Sequence, residues 1–341
     1  MTAQSATSTT SGEAAPTGRR FRLAWAALIV FGSIDLLWCR YAGLTFLNLD
    51  RILVATVLMI VVGRVYGASG RSVRLANMAH YAGLWIALTA IGAILTYLAA
   101  TVRFPMRDAE LAAFDGWLHF DWVAWFHFVA ARPVISLILG LAYSSLFVQV
   151  LATIFYLSHT HKPQRNEELW WTAAVALVAS AVLSAAFPAA GAGEYYATSD
   201  LPRLTYLPHL MALREGTLVQ IALENMQGII TFPSYHTVLA VLLAYVYRGQ
   251  GRIFLGVVIL NIVMLLSIPV YGSHYLGDML AGALIALLSI CLVRAANARR
   301  SSAQSSQSWR RIERGDALNP HCPPNRLPPR TESASPRSQR G

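Results

Sequence analysis

Charge is what this chain has least of. Only 13% of its 341 residues are charged, where a soluble domain carries about 25%. That is too little to clothe a water-facing surface of this size. Cysteine is scarce as well. Cys39, Cys291 and Cys322 are odd in number and far apart, which excludes a disulfide framework and a thiolate zinc site. No internal repeat is visible, which excludes a solenoid. What the chain has in abundance is apolar sequence: 55% of it is hydrophobic, gathered in blocks of about the 20 residues that cross a bilayer. Such blocks lack the polar stripe of a soluble core helix.

The spacing predicts an all-α, polytopic membrane helix bundle of about eight transmembrane helices, near residues 23–44, 51–68, 78–100, 133–157, 169–189, 229–248, 253–271 and 275–295. Arg19 and Arg20 before the first block resemble a secretory or twin-arginine signal. No small-residue cleavage site follows, so the block reads as an uncleaved span. Loop charge supports the count. With the N-terminus inside, the inner segments hold 20 of the 27 Lys and Arg and the outer ones seven, together with most of the acidic residues. This is the positive-inside pattern, with both termini cytoplasmic. The net charge of +10 therefore belongs to loops and tail, and nucleic acid is not an expected partner. The aromatic-rich segment 104–132 is expected to lie in the headgroup layer. The expected organisation is a disordered N-terminus over 1–22, two extra helices over 23–77, a membrane domain with a six-helix catalytic core over 78–295, and a disordered basic tail over 296–341.

Ionisable side chains at embedded helix ends are costly and ask for a reason. FPSYHT, at 232–237, opens the sixth span, and YGSHYLGD, at 271–278, opens the eighth. On this topology both face the outer side. His274 and Asp278 are four residues apart, on one helix face. A carboxylate there fixes one imidazole nitrogen and leaves the other free to attack or to take a proton. Pro233 is expected in the first turn of its helix, with the amides around Ser234 to His236 forming an anion cradle. Together these groups suit phosphoryl transfer without metal or cofactor.

This pair of motifs resembles the type 2 phosphatidic acid phosphatase superfamily, nearest to the branch containing inositol phosphorylceramide synthase, over roughly residues 78–295. The resemblance implies that His274 is the nucleophile and forms a phosphohistidine. It implies that Asp278 orients His274, that His236 protonates the leaving group, and that Ser234 helps hold the phosphoryl oxygens. The substrate it implies is a lipid phosphate or phosphodiester, met among membrane lipids at the outer face. Departures are plain. Ser267 and Ile268 stand where the phosphatase motif has Ser-Arg, and Trp125 stands where a lysine would precede Arg132-Pro133. Arg214 is the first candidate for the missing cation, ahead of Arg203 and His209. The resulting expectation is a lipid phosphatase or phosphotransferase of a bacterial inner membrane, with its site on the periplasmic face. A non-catalytic transporter or scaffold on the same fold is the alternative.

Overall fold

The computed structural model describes residues 18–197 and 205–313, with side chains for 21–197 and 205–300. Two compact units divide the chain, Met1–Val293 and Arg294–Gly341. The described residues form helices α1 (Gly18–Ala42), α2 (Leu49–Ala68), α3 (Val73–Ala100), α4 (Asp108–Trp117), α5 (Trp122–Ala130), α6 (Pro133–Ser144) and α7 (Leu146–His159). They continue with α8 (Pro163–Ala186), α9 (Ala192–Tyr195), α10 (Leu207–Glu215), α11 (Tyr235–Val246), α12 (Arg252–Tyr271) and α13 (Leu276–Glu313). The fold is the expected all-α polytopic bundle.

Six helices, α1, α2, α3, α8, α12 and α13, are long and apolar enough to cross a membrane. Their outward residues are apolar rather than charged. Leu53, Leu255 and Leu288 are 63%, 58% and 54% exposed, a surface suited to lipid and not to water. Two expected spans take a different form. The fourth is split at Ser145 into α6 and α7. The Ser145 hydroxyl donates to the Ala142 carbonyl at 2.7 Å and accepts from Gln149 at 2.9 Å, a side-chain bond that competes with the helical ladder. The sixth is only the 12 residues of α11, about 18 Å of helix. Its entry through Ile229 to Ser234 is not helical. Ile229, Thr231 and Ser234 are buried in protein, the condition under which irregular backbone survives at membrane depth.

Leu84 and Leu88 on α3, Leu157 on α7, Leu169 and Trp170 on α8, and Leu242 and Leu243 on α11 make the buried core. The Trp170 indole donates to the Leu84 carbonyl at 3.2 Å, so α8 and α3 are held at a fixed depth. A two-stranded parallel pairing joins β1 (Thr45–Leu47) to β2 (Gln220–Ala222), with Phe46 opposite Ile221. At another set of loops Arg165 donates to the Val246 and Arg248 carbonyls, and Lys162 donates to Gln250. The loops expected on one side thus meet one another, as do those expected on the other.

The segment 104–132 folds as α4 and α5. Asp121 caps α5 by accepting from the Ala124 amide at 2.9 Å, and α5 meets α6 at a bend of 109°, so α5 runs across the end of α6 instead of extending it. At the far end α13 does not stop near 295 but continues to Glu313. Ala, Arg and Gln in that stretch are good helix formers and no Pro or Gly interrupts them. Residues 1–17, most of the expected disordered N-terminus, and 314–341, most of the expected disordered tail, lie outside the described residues.

Candidate active site

The site forms where α12 ends and α13 begins. Gly272 closes α12, Ser273 takes a left-handed conformation with φ of 56°, and His274 follows directly. The Ser273 carbonyl accepts from the Ala192 amide at 2.8 Å and its hydroxyl accepts from Gly193 at 2.7 Å. The turn is therefore fixed from the start of α9. Gly272 is required by close approach: a Cβ there would stand 2.6 Å from the His274 Cδ2.

His274 is 4% exposed and Asp278 is fully buried. The His274 Nδ1 lies 3.1 Å from the Asp278 Oδ2, and the same oxygen accepts the Tyr275 amide at 2.9 Å. The carboxylate thus holds one ring nitrogen, and the Thr231 backbone also bonds the ring. Burial pushes the imidazole down to about 4, against a hydrogen bond to the Thr231 backbone that works the other way. Burial thus favours the neutral ring that a nucleophile needs.

The second motif packs onto the first. The Ser234 amide donates to the Asp278 carbonyl at 3.0 Å. A Cβ on Gly282 would run into the Ser234 carbonyl, so α13 carries glycine where the start of α11 touches it. Phe232-Pro233 is a cis peptide, and α11 begins at Tyr235, so Pro233 stands ahead of the cap and not in the expected first turn. Ser234 is the cap, its hydroxyl accepting from Thr237 at 3.5 Å. The amides of Tyr235 and His236 have no partner among the described residues. The His236 ring stacks on Tyr143 of α6, with centroids 4.3 Å apart and planes at 14°.

Arg214 is placed differently from these four. It donates to the Val102 and Phe104 carbonyls, at 3.3 and 2.6 Å, just past the end of α3. His209 pairs with the Tyr97 hydroxyl at 2.8 Å, and Arg203 lies outside the described residues. Arg132 covers the Phe128 ring at 3.9 Å, and Ile268, at the family's arginine position, is fully buried. Carboxylates surround the site instead. Asp108 accepts the Ala190 and Gly191 amides and the Tyr275 hydroxyl, and Asp115 accepts from Leu276 and Gly277. Sequence reasoning missed Tyr143, Asp108 and Asp115. Nothing in the sequence spacing ties these three to the two motifs, which lie far beyond them in the chain, from Phe232 onward.

A family model described as the PAP2 superfamily matches residues 109–292, more than half of the chain, from α4 into α13. An all-helical membrane bundle with paired histidines at two helix starts is the class of protein the geometry defines, and the chain belongs to the PAP2 superfamily. It is thereby a phosphatase-type phosphoryl-transfer protein. No curated protein and no solved structure matches it.

Proposed function

We propose that the chain is a membrane-embedded phosphoryl-transfer enzyme acting on a lipid phosphodiester or phosphate through a phosphohistidine at His274, on the outer membrane face. The observation that carries this is the His274–Asp278 pair, buried and bonded through Nδ1, beside the start of α11. The His274 Nε2 attacks phosphorus, forming N–P as the bond to the leaving oxygen breaks, and His236 gives that oxygen its proton. Water or an alcohol then attacks phosphorus, N–P breaks, and His236 recovers a proton. Ser234 and the amides at the start of α11 would take the phosphoryl oxygens, and Arg214, which donates to the Val102 and Phe104 carbonyls, is the candidate headgroup contact.

Few cations and several carboxylates favour a substrate of low charge. A phosphodiester carries one negative charge and a phosphomonoester up to two, so the site suits the diester, as in the inositolphosphotransferase branch. The test is a panel of phosphatidic acid, prenyl diphosphate, and phosphatidylinositol with ceramide or diacylglycerol. Wild type is compared with His274→Ala for phosphate release and head-group exchange. Turnover lost in the variant supports the reading, and the active lipid separates hydrolase from transferase. Equal turnover in both defeats it. Inertness on every lipid, with solute movement in liposomes, favours a transporter.

A further inference from the structure

The carboxylates of α4 sit outside both motifs, yet they reach the segment that carries His274. Asp108 and Asp115 are seven residues apart and so lie on one helix face. Asp115 is fully buried. Its two oxygens accept the Leu276 amide at 3.0 Å and the Gly277 amide at 3.1 Å. These are among the first amides of α13, which have no partner inside the helix. Asp278 takes the preceding amide, from Tyr275, on the oxygen that also holds His274. Asp108 works on the other flank. It binds Ala190 and Gly191 at 2.9–3.0 Å and the Tyr275 hydroxyl at 3.1 Å, and the loop it holds grips Ser273 through Ala192 and Gly193.

A buried carboxylate without a cation is expensive, and no Lys or Arg pairs with Asp115 among the described residues. Apolar packing would dock α4 at lower cost. What a carboxylate adds is a fixed direction for two consecutive amides, two and three residues past His274.

We propose that Asp115 is a positioning residue for phosphoryl transfer: through Leu276 and Gly277 it fixes the first turn of α13 and so keeps His274 on Asp278, with Asp108 steadying the Ser273 side. This rests on His274 being the nucleophile. Asp115 touches no substrate, so its loss acts on kcat and leaves KM nearly unchanged.

The test uses the full chain in mixed micelles of phosphatidic acid, and of phosphatidylinositol with diacylglycerol. Asp115→Ala lowers kcat about 100-fold, the scale of a 1 Å misplacement, with KM within about twofold. Asp115→Asn keeps one acceptor and restores about tenfold of that loss. On an Asp278→Ala background, Asp115→Asn costs less than about threefold, because the two act through one ring. If Asp115→Ala does not fold, the Asn variant and the double substitution decide. Wild-type kcat in the Asn variant, or additive losses, overturn the proposal while His274→Ala stays dead. An inactive wild type, or an active His274→Ala, instead overturns the catalytic reading beneath it.

Discussion

The His274 ring and the Tyr275 amide share a single oxygen of Asp278, and that economy sets what each substitution does. Asp278→Asn presents an amide where the ring expects an acceptor, which permits the wrong tautomer. Turnover should fall by about 10²–10⁴ while the protein stays folded, the range seen when an orienting carboxylate is lost. Gly272→Ala puts a methyl 2.6 Å from the ring. It should lower kcat about 100-fold, as for a small displacement of a reacting group, with normal expression. Because burial lowers the His274 imidazole to about 4, protonation removes the nucleophile only in acid. The acid limb of kcat/KM should therefore lie well below the ordinary imidazole value of about 6.5, and a limb at 6.5 would contradict the assigned burial. The four-residue spacing made the His274–Asp278 pair legible, although His274 stands in the turn ahead of α13, which begins at Leu276. The stacking of Tyr143 on His236 was not, because 93 residues separate them in the chain and only tertiary packing joins them.

At the level of elements, α11 shows how far periodicity goes. Its apolar run predicted a full span, but the cap at Ser234 and the non-helical Ile229–Ser234 entry leave a short helix whose start is pinned to α13. Gly282 makes that approach possible. Gly282→Ala should cost about 1–3 kcal/mol by overpacking, read as a lower unfolding midpoint in detergent and reduced turnover. An unchanged midpoint would mean that α11 and α13 are looser than this contact implies. The break at Ser145 was hidden for a related reason: serine in an apolar run carries no pattern until its hydroxyl is seen on the Ala142 carbonyl. The bend between α5 and α6 was half visible. The charged and aromatic content of 104–132 marked it as interfacial, and Pro133 marked the start of α6, but the angle follows from packing against α12, where Trp122 donates to the Pro269 carbonyl at 3.0 Å.

For the whole molecule, hydropathy and loop charge were enough to read a polytopic bundle, because a bilayer restricts backbone to helices of a known length. They also sorted the loops, and the contacts of β1 with β2, and of Arg165 with the end of α11, join loops of the same expected side. In a chain with its native cysteines replaced, Trp117→Cys should react with an impermeant thiol reagent from outside and Gly70→Cys should not. The reverse would place the site on the inner face. The surroundings of Arg214 were beyond the sequence, since its partners are carbonyls more than 100 residues away. If His274 carries the phosphoryl group, rapid quenching of wild type with ³²P-labelled lipid will trap it there. An alkali-stable, acid-labile label that maps to His274 and is missing from His274→Ala is the predicted result. Turnover with no such label, or with the label on another residue, would contradict the account.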